Sequence, residues 1–122
     1  MFTKTLLLVA IILVSIDSIY LFLIKNYFAN QVQIIQQTNM KLDFIGIIIC
    51  YIFLVFGLYF FIIKNQRSTV DAFLLGIFVY GVFDLTNKAI FSKWSWQTVT
   101  IDTLWGGILF ALTSSIVYKL KN

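Results

Sequence analysis

Four long apolar runs, separated by shorter polar pieces, set the frame of this 122-residue chain. They cover about residues 5–24, 44–63, 70–89 and 99–118. At ~1.5 Å rise per residue, a run of about 20 residues crosses the ~30 Å hydrocarbon core of a bilayer as an α-helix. Backbone N–H and C=O groups find no water inside that core, and a helix satisfies them internally. The pattern therefore predicts an all-α membrane protein, an antiparallel four-helix transmembrane bundle, with residues 1–122 forming a single transmembrane domain. The first run begins like a signal peptide, with Lys4 ahead of an apolar stretch, but continues to Ile24 without a small-x-small cleavage site. A retained first span is expected.

Helical periodicity assigns an inward face to the spans. In span one Ala10, Leu13, Asp17 and Tyr20 share a face. Span two carries no charge, and Gly46, Cys50 and Gly57 form a stripe small enough for close helix approach, with Cys50 as a packing residue. Span three aligns Gly76, Tyr80, Asp84 and Asn87; span four aligns Asp102, Trp105, Gly106, Leu109 and Thr113, with a second, small-residue stripe at Gly107, Ala111 and Ser115. The long polar piece at residues 25–43 mixes Gln and Asn with Tyr27, Phe28, Val32, Ile34, Ile35 and Met40. That mixture predicts an interfacial helix or a folded-back loop between spans one and two. Residues 64–71 make a short turn, so spans two and three are antiparallel neighbours. Ser68 or Thr69 can cap the third helix, with Asp71 in a structural role in its first turn, where the helix dipole favours a negative charge.

Composition strengthens the membrane assignment. The chain is 61% hydrophobic and 11% charged, whereas soluble domains are about 45–50% apolar and 25% charged. The net charge of +4 does not point to nucleic acid, because the basic residues lie singly or in pairs at the ends of apolar runs. That distribution belongs to interfacial anchors and topology signals. With the N-terminus inside, Lys4, Lys64, Arg67, Lys119 and Lys121 are cytoplasmic against Lys25, Lys41, Lys88 and Lys93 outside. This small excess favours both termini in the cytoplasm. The expected partner is the lipid bilayer, and the small-residue stripes also suit other membrane proteins or a homo-oligomer. The lone Cys50 cannot form an internal disulfide. Richness in Ile, Lys, Asn, Phe and Tyr suggests an AT-rich genome, placing the chain in a bacterial inner membrane or, for a viral source, in a host or viral membrane.

Candidate chemistry rests on three acids within the apolar runs. Asp17 lies eight residues before Lys25, Asp84 lies four before Lys88, and Asp102 lies in the opening turns of span four. Spans one and three run in one direction and span four returns, so all three carboxylates fall within one or two helical turns of the same membrane face. A charge in hydrocarbon costs about 2.5–3.5 kcal/mol or more, which turns such groups inward toward partners. Ordinary partners exist for each: Lys88 at i+4 from Asp84, the span-four N-terminus for Asp102 with Thr98 or Ser95 as cap, and Ser18, Tyr20 or another helix for Asp17. Trp94 and Trp96 fall between spans three and four, where interface anchoring accounts for them. Trp105, on the Asp102 side of its helix, admits either an anchoring or a site role.

With these residues in view, the chain resembles a family of short four-span bacterial membrane proteins classified only as a domain of unknown function. The resemblance rests on Phe83-Asp84-Leu85-Thr86-Asn87, Trp94 ten residues beyond Asp84, and Asp102-Thr103-Leu104-Trp105-Gly106 beginning eight residues later. Asp17-Ser18-Ile19-Tyr20-Leu21 is similar to the family's Asp-x-x-aromatic-Leu pattern in the first span. Phe83 stands where the family usually has Tyr, and Ser95 where it usually has Pro. The resemblance implies a four-helix membrane protein whose motif includes all three acids, and it carries no substrate.

The sequence thus points to an integral membrane protein with a polar, acid-lined site near one face, for a cation, proton or small polar solute. Asp17, Tyr80, Asp84, Asn87, Lys88, Asp102 and Trp105 are its candidate residues. Asp17, Asp84 and Asp102 are also weak candidates for a hard divalent ion, since three Asp without Glu or His make a poor metal signature. The alternative is a non-catalytic scaffold or membrane-assembly component whose acids fix helix packing. A lipid-modifying enzyme is the least supported class: the chain has no His, and neither a nucleophile–base pair nor a phosphate loop is evident. The balance leans against an enzyme, and no cofactor is expected.

Overall fold

A computed structural model describes residues 2–37 and 43–121. Four helices follow one another: α1, Phe2–Gln36; α2, Phe44–Leu58, continued by a π-helical turn at Tyr59–Ile63; α3, Thr69–Ile90; and α4, Trp96–Lys121. All four are long and apolar enough to cross a membrane, which is the all-α fold expected from the pattern. Large side chains such as Leu23, Phe44, Ile45, Phe53, Phe61, Phe78 and Val82 stand exposed around the outside. On a water-soluble protein so large an apolar surface would be a liability; on a bundle in hydrocarbon it is the lipid-facing surface.

Local sequence sets the helix ends. The Asp43 carboxylate accepts from the backbone N–H groups of Ile45 and Gly46 to start α2. Ser68 Oγ accepts from the Asp71 N–H at 3.1 Å to start α3, and Asp71 pairs with Arg67 at 2.8 Å. The structural roles expected of Ser68 and Asp71 are therefore the observed ones. Ser95 Oγ accepts from the Thr98 N–H at 3.0 Å at the start of α4.

The segment after Lys25 departs from the expected separate interfacial element. Residues 25–36 continue α1 without a break, so α1 has 35 residues and a length of ~52 Å. That exceeds the ~40–45 Å of a bilayer including its headgroups. The reason is tertiary: Tyr27 and Gln31 on the continuation bond to the α3–α4 turn. Met40 and Lys41 lie outside the described residues.

α4 is the hub of the packing. Against α3 the approach is closest where glycines meet: a Cβ on Gly76 would collide with the backbone carbonyl of Gly106, and one on Gly106 with the Tyr80 ring. A Cβ on Gly107 would come within 2.8 Å of Phe73. The small-residue stripe anticipated on α4 contributes only its Gly107 end, since Ser115 is exposed. On α2, a Cβ added at Gly57 would meet nothing within 4 Å and Cys50 is exposed, so among the described residues that part of the stripe packs against no other helix. Below the acids, Val9 and Leu13 of α1, Leu58 and Ile62 of α2 and its continuation, and Leu109, Phe110 and Val117 of α4 form the apolar core.

Candidate functional site

Asp17 comes from α1, Asp84 from α3 and Asp102 from α4, each on the face its helix turns to the others. All three are buried, at 6%, 0% and 6% exposure. Asp84 is six residues before the last residue of α3, and Asp102 six after the first of α4, so both lie ~9 Å inside their helix ends. The convergence anticipated from helix direction and spacing is present, and it has a definite wiring.

Asp17 is saturated. Its Oδ1 accepts from Trp105 Nε1 of α4 at 2.8 Å, and its Oδ2 accepts from the Tyr51 hydroxyl of α2. One carboxylate thus ties three helices together. Tyr20, one turn along α1, stacks on Trp105 with centroids 4.4 Å apart and planes within 4°. Its hydroxyl donates to Asp102 Oδ1 over a long 3.4 Å. Tyr80 of α3, packed on Gly106 and edge-on to Phe110, lies within electrostatic reach of Asp17 and Asp102. The layer is three aspartates among three tyrosines and an indole.

Asp84 has different company. It sits beside Asp102 and the Trp94 indole, yet among the described residues neither of its oxygens closes a hydrogen bond, and Trp94 Nε1 is likewise buried without one. The anticipated Asp84–Lys88 pair does not form. Lys88 instead donates to the Ser92 carbonyl at 3.1 Å and lies over the Trp96 ring at 5.5 Å, because a lysine in the last turn of a helix can reach free carbonyls and water without entering the apolar interior. Among the described residues the one ion pair is Arg67–Asp71, remote from the layer in sequence.

The remaining sequence candidates take the following places. Asp102 is not a helix cap: it lies almost two turns into α4, and Ser95 caps the helix. Trp94 is buried at 7% exposure with its ring edge-on to Phe83, so of the two expected anchors only Trp96, at 63%, is exposed. Asn87 is half-buried one turn beyond Asp84. Among the described residues no three acidic or thiol groups, Asp17, Asp84 and Asp102 included, are grouped as metal ligands are. A hard ion asks for about six to eight oxygens, and the two oxygens of Asp17 already accept from a phenol and an indole.

A second polar cluster closes the layer at the α3–α4 turn. The Gln31 amide donates through Nε2 to the Lys93 carbonyl at 3.0 Å, while its Oε1 accepts from the Ser95 N–H at 3.2 Å and from Thr98 Oγ1 at 2.8 Å. Tyr27 bonds to Thr98 at 2.9 Å. Tyr20, Tyr51, Tyr27 and Gln31 were absent from the sequence-derived site list. For Gln31 a signal existed in its position on the Tyr27 side of a continued helical repeat; for Tyr51 none did, since span two is apolar all round.

The chain belongs to a family described as a predicted membrane protein (DUF2177), whose model matches residues 2–119. It is accordingly an integral, multi-pass membrane protein. No curated protein and no solved structure matches the chain.

Proposed function

We propose that this protein holds and exchanges a proton at the Asp84–Asp102 pair, as the central step of proton or proton-coupled cation movement through its bundle. The observation that carries this reading is Asp84: fully buried, both oxygens without a partner, and beside a second carboxyl rather than a base. Ionisable residues inside a membrane bundle that face one another mark ion pathways and proton relays. A proton needs no ring of ligands and no large cavity, so it suits this pair better than a divalent ion does. Asp102 then serves as the exchange partner, with the Tyr20 hydroxyl as its donor.

The test is flux. Purified protein in liposomes with an internal pH-sensitive dye is expected to dissipate an imposed proton gradient, and Asp84→Asn to abolish that activity. Unchanged flux in the variant, or none in the parent, would sink the proposal.

One observation favours the rival reading of a membrane scaffold. Asp17 is bonded to α2 and α4 at once, as an acid retained for helix packing would be. The two readings apply to different acids and divide the layer between them. A lipid-modifying activity finds less support: the apolar groove on α2 is lined by Ile52, Phe53, Phe56, Gly57, Phe60 and Phe61, and by no acid.

A further inference from the structure

We infer that Gln31 is a latch that holds Trp94 over Asp84 and so controls access to the acid pair from the α3–α4 face. The inference rests on the reading of Asp84 and Asp102 as the exchange site, and it adds how that site is closed.

Three placements lead to it. Trp94 lies on the turn that joins α3 to α4, and its indole reaches back to Asp84. The ring therefore lies on the α3–α4 turn side of the carboxyl. Trp94 Nε1 faces the Asp84 carboxyl without closing a hydrogen bond of ordinary geometry to it, so the ring's position also depends on the backbone that carries it and on its edge contact with Phe83. That backbone is gripped from both sides by one residue of another helix: the Gln31 amide donates to the carbonyl of Lys93 and accepts from the N–H of Ser95, the residues immediately before and after Trp94.

The grip comes from the part of α1 that continues beyond the length a span requires. Gln31 is 7% exposed although it lies on that continuation, and its third bond, from Thr98, anchors it to the first turn of α4. A side-chain amide that both donates and accepts on either side of a turn fixes the turn's position and its rotation. Loss of the amide leaves α3, α4 and their glycine contact intact, since none of the Gly76, Gly106 or Gly107 contacts involves it. It frees only the turn and the indole. Gln31 is thus a positioning residue: it touches neither carboxyl and acts through Trp94.

The experiment follows accessibility rather than transport. Full-length protein in detergent is treated with a water-soluble carbodiimide and a glycine ester, or with a membrane-permeant carbodiimide, and modification at Asp84 is followed by mass spectrometry. The parent is expected to react slowly with the soluble reagent. In Gln31→Leu, which keeps side-chain size and loses every amide bond, the soluble reagent is expected to modify Asp84 about tenfold faster or more, the scale set by two ordinary hydrogen bonds in a local opening. The permeant reagent is expected to modify both proteins at similar rates. Gln31→Glu, which keeps the acceptor for Ser95 and loses the donor to Lys93, is expected to fall between them and decides the matter if Gln31→Leu does not fold. Soluble-reagent rates equal in parent and variants, with the permeant reagent active on all, would overturn the latch. Unchanged proton flux in Asp84→Asn, with the labelling change in the Gln31 variants intact, would instead overturn the site and leave the latch standing.

Discussion

Asp17 and Asp84 enter one layer from helices that run in the same direction, at similar depth and with similar burial, and they are equipped in opposite ways. Asp17 accepts from an indole N–H and a phenol. Asp84 accepts from nothing and faces another acid. Residue type and depth, the two properties that make an intramembrane acid conspicuous, are the same for both. What separates them is whether neighbouring helices supply donors. A carboxylate whose lone pairs are taken works as a tie between helices, and one whose lone pairs are free is available to a positive species. On the proposed reading the layer combines a joint with a working group, and the joint holds the helices that carry that group's neighbours, Tyr20 and Asp102.

Replacing each acid separates these roles. Asp17→Leu leaves the Tyr51 hydroxyl and the Trp105 N–H buried without an acceptor, at ~1–3 kcal/mol for each. A loss of about 2–6 kcal/mol is therefore expected, measurable by reversible unfolding in mixed micelles. Tyr51→Phe removes one donor to a charged acceptor and is expected to cost about 1.5–2 kcal/mol in the same assay, with proton flux retained. Asp84→Leu has the smallest expected effect on stability, near zero or slightly favourable, because replacing a buried unpaired polar group by a well-packed apolar one removes a desolvation penalty. A loss for Asp84→Leu as large as that for Asp17→Leu would erase the distinction between the two sites.

Much of this could be read from the sequence, for physical reasons that also mark the limit. Four apolar runs of spanning length leave little choice of fold, and helix direction with residue spacing brings Asp17, Asp84 and Asp102 to one depth. Partner choice was not legible. Tyr51 lies in a span that is apolar on every face, so no periodicity singles it out, and its role emerges only when α2 packs on α1. Lys88 has the spacing for a pair with Asp84, but it also has free carbonyls within reach at the helix end, and the structure takes those. Trp94 has the residue type and loop position of a lipid anchor, yet a turn folded back by Gln31 buries it. The close helix approach falls at Gly76 and Gly106 because those glycines meet across α3 and α4, while on the Gly46, Cys50 and Gly57 stripe Cys50 is exposed and a Cβ at Gly57 would meet open space among the described residues. Single-helix patterns report which face is unusual; they do not report what stands opposite.

The most direct test of the central claim is the infrared spectrum of the protein in lipid, in H2O and in D2O, read in the carbonyl region of protonated carboxyl groups. The parent is predicted to show such a band with a deuterium shift; Asp84→Asn is predicted to lose it, and Asp17→Asn to keep it. A parent spectrum without the band, or a band unchanged in Asp84→Asn, would contradict the assignment of Asp84 as the proton-holding group.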